Sequence, residues 1–189
     1  MKKFIRILFL INILLTGSSW SSIATAVQPS SKDFQKAEKL FSEKRYEEAI
    51  ELYVAVLRSV PDLETAANIH SRVADGYFQL GDYDRALAKY RVAINGQKRS
   101  EQPMTQYWIG FCCFLTGRDN EAIAELLKIP ELYPDSGMLV STAYYWAGRA
   151  SERMGKKDQA ADYYRKAGGS GKSTQARYAK KRAEAVKEK

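Results

Sequence analysis

The stretch ADGYFQLGDYDRALAKY at residues 74–90 carries the pattern that decides the fold. Ala74 is followed twelve residues later by Ala86, with Gly81 between them and Tyr90 one helical turn further on. Glycine readily adopts the left-handed conformation that ends many helices, so we expect Gly81 to separate two helices. Small side chains at Ala74 and Ala86 would let these helices cross closely, and Tyr90 would fill the space beside the crossing.

This pattern occurs four times along the chain. The alanine of the second helix recurs every 36 to 38 residues, at Ala49, Ala86, Ala122 and Ala160. Twelve residues before each alanine stands a small residue: Ala37, Ala74, Gly110 and Gly148. The residue expected to end the first helix is a glycine in three copies and a lysine in the first: Lys44, Gly81, Gly117 and Gly155. A single helix pair cannot bury its apolar faces, so the copies must stack on one another.

The fourfold pattern resembles the tetratricopeptide repeat, a pair of antiparallel helices. In the frame of that family the copies are 30–63, 67–100, 103–136 and 141–174, and the proline that closes the frame matches Pro61 and Pro134. The resemblance implies an all-α fold, a right-handed superhelical solenoid of about four helix pairs. Since proline disfavours a helix interior, we expect Pro130 to end the second helix of the third copy near Ile129.

The first 26 residues have the three parts of a cleavable secretory signal peptide. Residues 1–6 carry three positive charges and no acid, residues 7–15 are apolar, and Ala24-Thr25-Ala26 forms a small-residue cleavage site. The apolar run is about half the length of a transmembrane helix, although an uncleaved membrane anchor stays open as the alternative. No cysteine near this site could carry a lipid. We therefore expect an exported, periplasmic protein that is not a lipoprotein.

An export signal before repeats of this kind is typical of bacterial envelope proteins of the family. The third copy ends in Tyr-Pro-Asp-Ser at residues 133–136. Copies of about 37 residues with this ending are similar to those of the cell-division coordinator of the Tol–Pal system and of the lipoprotein that helps to assemble outer-membrane β-barrels. This resemblance implies a role in the assembly or maintenance of the cell envelope.

The composition argues against an enzyme, a cofactor and a metal site. The 189 residues include one histidine and two cysteines, are 45% hydrophobic and carry a formal net charge of +8. His70 is expected to open the first helix of the second copy as a packing residue, and Cys112 and Cys113 to be buried free thiols. Residues 168–174, GGSGKST, lack the first glycine of a phosphate-binding loop, so we expect a joint and no nucleotide. Export also separates the protein from nucleic acid.

The resemblance implies a binding surface as well, because the first helices of tetratricopeptide arrays line a concave groove. Tyr107, Phe111 and Phe114 form one stripe along the first helix of copy three. We expect a non-enzymatic adaptor that binds a protein partner in an aromatic groove, with two arginines for a carboxylate at one end. The alternative is that the aromatic residues only fill the core. The expected groove residues are Phe34, Phe41, Phe78, Tyr107, Trp108, Phe111, Phe114, Tyr145, Arg149 and Arg153.

The end of the chain, 174–189, is expected to form a basic helix that caps the solenoid. Its apolar residues recur at helical spacing and would cover the last helix pair: Ala176, Ala179, Ala183 and Val186. Two other functions stay open. The protein could self-associate through the apolar third pair, as a homo-oligomer, or it could bind an anionic polymer or membrane surface through the basic helix.

Overall fold

The computed structural model describes residues 32–169 and 174–186. Most of the expected joint and all of the expected signal peptide lie outside the described residues. Within the described ranges all regular structure is helical, and the nine helices are α1 Lys32–Ser42, α2 Tyr46–Leu57, α3 Leu63–Leu80, α4 Tyr83–Ala93, α5 Gln102–Leu115, α6 Asp119–Leu132, α7 Gly137–Arg153, α8 Lys157–Gly169 and α9 Thr174–Ala185.

The helices stack in chain order as four antiparallel pairs and a cap. The four pairs are α1–α2, α3–α4, α5–α6 and α7–α8. The second helix of each pair also packs against the first helix of the next pair. Helix α9 packs on both α7 and α8. Contacts confined to neighbouring copies define a solenoid, so the expected fold class is confirmed.

The crossings within the pairs have no room for larger side chains. A Cβ atom added at Gly110 would lie 2.6 Å from Cγ of Leu126, and one added at Gly148 would lie 2.8 Å from Cδ1 of Tyr164. The alanines at the equivalent crossings are completely buried: Ala37, Ala49, Ala74, Ala86, Ala122 and Ala160. The prediction that small residues set the approach of the two helices is confirmed.

The turns inside the pairs share one backbone conformation. Gly81, Gly117 and Gly155 have φ angles of 80°, 80° and 74°, and Lys44 adopts the same conformation with a φ angle of 64°. A left-handed conformation is unfavourable for a residue with a Cβ atom. Lys44 therefore adopts the turn conformation that glycine adopts in the other three copies, and the backbone strain at Lys44 lowers the stability of the folded chain.

Two expectations about helix ends are wrong. Helix α3 begins at Leu63, because the Asp62 carboxylate accepts a hydrogen bond of 2.7 Å from the Thr65 amide and so caps the helix; His70 is its eighth residue. Helix α6 continues past Pro130 to Leu132, and the amide of Tyr133 still donates to Ile129 O at 2.9 Å. One proline removes one donor, and the buried side chains of Ile129 and Tyr133 hold the last turn in place.

Helix α9 covers the last pair with the four residues expected from the sequence. Ala176, Ala179, Ala183 and Val186 are all buried, and the last three join a cluster with Ala160, Tyr164 and Ala167 of α8. The guanidinium of Arg182 donates to the carboxylate of Glu152 on α7 at 3.0 and 2.8 Å. Apolar burial together with this ion pair fixes the cap to both helices of the fourth pair.

Candidate partner-binding surface

One kind of polar contact recurs between the two helices in three of the four pairs. A tyrosine hydroxyl on the second helix donates to a carboxylate on the first: Tyr90 to Asp75 at 2.6 Å, Tyr164 to Glu152 at 2.7 Å, and Tyr53 to Glu38. These tyrosine rings are almost completely buried. We call this contact the tyrosine–acid pair; it satisfies the one polar atom of a large buried side chain.

Copy three has no tyrosine–acid pair. Leu126 stands where the other copies have tyrosine, and Phe111 stands where copy two has Asp75. Leu126 is completely buried against Gly110, and Phe111 is buried on the side of the first helix that carries the carboxylate elsewhere. An apolar contact therefore replaces the tyrosine–acid pair, and an aromatic ring replaces a charge on this surface. The polar contact between the two helices of this copy is instead the hydrogen bond from the Gln106 amide to the Glu125 carboxylate, at 2.8 Å.

Phe111 lies in the middle of a continuous series of aromatic rings. Its ring centroid is 4.7 Å from that of Trp146 and 5.6 Å from that of Tyr107, and Trp108 is 5.0 Å from Phe78. The series crosses three first helices, α3, α5 and α7. We call it the aromatic row; its members are Phe78, Tyr107, Trp108, Phe111, Phe114, Tyr145 and Trp146.

The aromatic row has a buried base and an accessible rim. Phe78, Phe111 and Phe114 are only 6–8% exposed, so these three expected groove residues lie beneath the surface. The four others, Tyr107, Trp108, Tyr145 and Trp146, are half-buried. Near the start of α5, Met104 is 37% exposed. A partner would therefore contact the tyrosines and tryptophans, and the phenylalanines would support them from below.

Two expected groove residues of the first copy lie apart from the aromatic row. Phe34 is buried, and its ring is 5.7 Å from that of Tyr53. Phe41 is half-buried between the ring of Tyr46, 5.1 Å away, and the guanidinium of Arg72, 5.3 Å from its centroid. Phe34 belongs to the core cluster of the first pair, and Phe41 packs against that cluster.

Trp146 is a rim residue that the sequence analysis does not identify. It follows Tyr145 directly, and it lies 38 residues after Trp108, the same interval that separates the alanines Ala122 and Ala160. The two tryptophans thus occupy one position of the repeat. That equivalence is a signal in the sequence that could have identified Trp146.

The two arginines at the end of the row have different surroundings. Arg153 donates to both carboxylate oxygens of Asp119 and to Phe114 O at 2.6 Å, and its guanidinium lies 4.1 Å from the Phe114 ring centroid. Arg149 donates a 3.4 Å hydrogen bond to the Tyr145 hydroxyl and lies 5.8 Å from the Trp146 ring centroid. Arg153 is therefore a structural residue, whereas the guanidinium of Arg149 forms no ion pair with a carboxylate of the described residues.

Burial changes the ionisation of several groups near the row. Desolvation raises the pKa of Asp75 to about 6, against the hydrogen bond from Tyr90 and the charge of Arg72, which lower it. Desolvation also raises the pKa of Tyr107. Burial raises the pKa of Cys113 to about 11 and that of Cys112 further still, so both thiols are protonated at neutral pH.

The metal-ligating and nucleophilic side chains outside the aromatic row form neither a metal site nor a reactive thiol among the described residues. No three of their His, Cys, Asp and Glu side chains lie close enough together to hold a metal ion. The cysteines are free and buried, and burial lowers the pKa of His70, whose Nδ1 has no hydrogen-bond partner in the described ranges. No described helix is both long enough and apolar enough to cross a membrane.

Comparison with known proteins identifies the repeat and the fold. Tetratricopeptide repeat models match residues 34–103, 74–137 and 141–167. No curated protein matches the sequence at a significant level. The solved structure of MamA is 20% identical, with a TM-score of 0.60 over 80% of this chain and 94% of that chain. The MamA RS-1 double mutant is 16% identical, with a TM-score of 0.62 over 86% and 97%.

A third solved structure is the C-terminal part of a TPR repeat-containing protein from Cytophaga hutchinsonii. It is 20% identical, with a TM-score of 0.60 over 81% of this chain and 61% of that chain. At such identities the likeness to all three structures shows the fold alone.

Proposed function

The chain belongs to the tetratricopeptide repeat family, and on this premise we propose that it is an exported, non-enzymatic adaptor that binds a protein partner on its first helices. Repeats of this family are generally protein-interaction scaffolds, and the fold is consistent with that role. The observation that supports the proposal most is the substitution of the aromatic row for the tyrosine–acid pair in copy three.

The rim of the aromatic row has the chemistry of a binding hot spot. Tyrosine, tryptophan and arginine contribute most of the affinity at many protein interfaces. The two aromatic residues bury a large area with little loss of side-chain entropy, and arginine adds hydrogen bonds to carboxylates. Here Tyr107, Trp108, Tyr145 and Trp146 are half-buried and their rings rest on one another. A rim that is already ordered loses little freedom on binding.

The charges beside the row suggest what the partner offers. Arg149 lies at the fourth copy with no ion-pair partner among the described carboxylates, whereas Glu38, Arg72 and Asp75 pair with one another at the first two copies. We propose an extended or helical segment that places an apolar side chain on the aromatic rim and a carboxylate on Arg149.

We propose that the adaptor works in the cell envelope, in its assembly or maintenance. The support is the three-part signal pattern of residues 1–26 and the similarity of the repeats to envelope members of the family. If the signal is cleaved after Ala26, mass spectrometry of the mature protein will give a first residue of Val27 and a length of 163 of the 189 residues. An intact N-terminus would instead favour a retained anchor.

Self-association through the third pair has less support. The apolar residues of α5 that would form such a contact are buried within the chain itself: Ile109, Phe111, Cys113 and Phe114. Their burial leaves mainly the aromatic rim for a partner. Binding of an anionic polymer or membrane surface to the basic helix α9 is the other alternative, and loss of that binding in moderate salt would distinguish it.

Site-specific photo-crosslinking in the native host tests the proposed function. The probe, a photoreactive phenylalanine, replaces Tyr107, which it resembles in shape. The matched control replaces Ala124, an exposed residue of α6 in the same pair.

A discrete adduct from the Tyr107 probe, absent with the Ala124 probe, is the expected result, and mass spectrometry of the adduct identifies the partner. No adduct from Tyr107 in folded, exported protein would contradict the proposal. Equal adducts from both probes would contradict it too, because they would report collisions rather than a site.

A further inference from the structure

Copy four has an arginine at a position where two other copies have an acid. Glu38, Asp75 and Arg149 each directly follow the small residue at the helix crossing of their pair. The acid of copy four instead stands about one helical turn later, at Glu152, and the Tyr164 hydroxyl donates to it there at 2.7 Å. The fourth pair therefore keeps its tyrosine–acid pair but has a positive charge beside it on the same helix.

Glu152 lies where Arg149 would ordinarily pair with it. Residues three apart on a helix are neighbours on its surface, and an acid and a base at this spacing attract each other. Desolvation raises the pKa of Glu152, but the hydrogen bonds from Arg182 and Tyr164 outweigh it, and the charge of Arg149 lowers the pKa further. Arg149 still forms no ion pair with a carboxylate of the described residues. Another group must therefore occupy the Glu152 carboxylate.

That group is Arg182 on the capping helix α9. Its Nε donates to Oε2 of Glu152 at 3.0 Å, and its second guanidinium nitrogen donates to Oε1 at 2.8 Å. The Tyr164 hydroxyl also donates to Oε2, so both oxygens are already hydrogen-bonded. The guanidinium of Arg149 is left with one long hydrogen bond, 3.4 Å, to the Tyr145 hydroxyl. The cap thus prevents an ion pair within α7 by supplying a better-placed one.

The cap also supports the aromatic rim by packing. Tyr145 packs against the apolar cluster to which α9 contributes Ala179, Ala183 and Val186. Its ring centroid lies 5.8 Å from that of Tyr164 in the same cluster. Helix α9 therefore influences both ends of the Arg149–Tyr145 contact, through the Glu152 carboxylate on one side and through the Tyr145 ring on the other.

We propose that Arg182 is a positioning residue of the partner-binding surface: by occupying Glu152, it keeps Arg149 unpaired and available for the carboxylate of the partner. This inference rests on the proposed function, in which Arg149 receives that carboxylate. Without Arg182, Glu152 pairs with Arg149 and the positive charge of the surface is neutralised. By linkage, a partner carboxylate on Arg149 in turn favours the docked position of the cap.

The rate at which phenylglyoxal, an arginine-selective reagent, modifies Arg149 tests this inference without a partner. Arg149 is half-buried, so the reagent can reach it, and mass spectrometry of peptides from the full chain measures the rate. Exposed Arg58 in the first pair is the internal reference. The variants are Arg182→Gln, Glu152→Gln, the two combined, and Arg182→Lys. The matched control is Lys98→Gln, which removes the cation of an ion pair between other copies, 2.7 Å from Glu64.

We expect R182Q to slow the modification of Arg149 about twofold relative to the reference, the effect of an ion pair between residues three apart on a helix. E152Q should leave the rate unchanged, because no carboxylate remains to pair with Arg149, and the combined variant should behave in the same way. R182K should give an intermediate rate, since lysine keeps the charge but lacks the bidentate fork. The K98Q control should match the unmodified chain.

Two results would overturn the inference. Arg149 could react no more slowly in R182Q than in the unmodified chain, or the combined variant could be as slow as R182Q. The second result would mean that a displaced cap, and not pairing with Glu152, shields the guanidinium. Circular dichroism checks that each variant is folded. An absent Tyr107 adduct would contradict the adaptor function without altering these rates, so the two failures are distinguishable.

Discussion

Copies two and three solve the same packing problem with different chemistry. Both cross their helices at a small residue, Ala74 or Gly110, and both fill the space beside the crossing with a large buried side chain, Tyr90 or Leu126. Copy two then needs Asp75 to satisfy the tyrosine hydroxyl at 2.6 Å. Copy three has no hydroxyl to satisfy.

The difference shows how a repeat frees a surface for function. Leu126 has no hydroxyl and so needs no hydrogen-bond acceptor on the first helix. The position that carries Asp75 in copy two can therefore hold an apolar residue in copy three, and that residue is Phe111. Phe111 then supports Tyr107 and Trp146 at 5.6 and 4.7 Å. The crossing sets the fold in both copies, but of these two only copy three has an aromatic ring at the position that carries Asp75 in copy two.

The largest effect should come from removing the ring beneath the rim. Phe111→Ala takes away a buried side chain and leaves a cavity between α5 and α7, so we expect a loss of about 4 kcal/mol in the free energy of unfolding, measured with urea. Tyr90→Phe in copy two, which removes one hydroxyl and keeps the ring, should cost only about 1 kcal/mol. Equal losses would mean that the two copies are held together in the same way.

The next largest effect concerns the crossing in copy three. Gly110→Ala forces a methyl group to within 2.6 Å of Leu126, and we expect overpacking of this kind to cost about 2 kcal/mol in thermal or urea unfolding. Gly137→Ala is the control, because a Cβ atom there has no other atom within 4 Å. A control as unstable as the Gly110 variant would show that close approach is not the cause.

The Asp75 carboxyl of copy two should make stability decline as the pH rises. The pKa of Asp75 is raised in the folded chain from 3.8 to about 6, so the unfolded chain loses this proton first. Stability from this group is complete below about pH 4 and declines as the pH rises to about 7, a loss of about 1 kcal/mol. This loss is smaller than the full shift implies, because the side chain is 32% exposed.

Asp75→Asn tests that pH dependence. An amide does not titrate, so the variant should lack the decline in stability that Asp75 causes between pH 4 and pH 7, and its urea midpoint should fall less over this range than that of the unmodified chain. Retention of the original slope in the D75N variant would assign the pH dependence to another group.

The smallest effects concern the turns. Lys44→Gly should stabilise the protein by about 0.5 kcal/mol, because glycine adopts a φ angle of 64° without strain. The gain is small because glycine also loses more backbone entropy on folding than lysine does. Gly81→Ala should destabilise by about 1 kcal/mol from the backbone alone, since no atom lies within 4 Å of the new methyl group. Melting temperatures that move in the same direction for both would contradict this account.

The sequence predicts the features that depend on local spacing. The turn glycines, the small residues at the crossings and the four buried residues of α9 recur at fixed intervals, and so the fold class follows from the chain alone. The start of α3 is predicted less well, since the cap at Asp62 outweighs the frame of the repeat. The prediction at Pro130 is wrong because the buried last turn of α6 tolerates one lost hydrogen bond.

The candidate site depends on residues far apart in the chain, and there the sequence is less informative. Arg153 is held by Asp119, 34 residues away, and only the packing of α7 beside α6 reveals it. The packing of α5 beside α3 and α7 buries Phe78, Phe111 and Phe114 and leaves the tyrosines and tryptophans as the rim. A stripe of aromatic residues predicts that one face is apolar, but it does not predict which rings a partner can reach.

Hydrogen–deuterium exchange of the protein with and without its crosslinked partner, once identified, tests the central claim most directly. If the partner binds the aromatic rim, the amides of α5 and α7 should exchange more slowly in the complex, whereas those of α6 and α8 should be unchanged. Protection confined to α6 and α8, or to α9, would contradict the claim that copy three exchanged its tyrosine–acid pair for a binding surface.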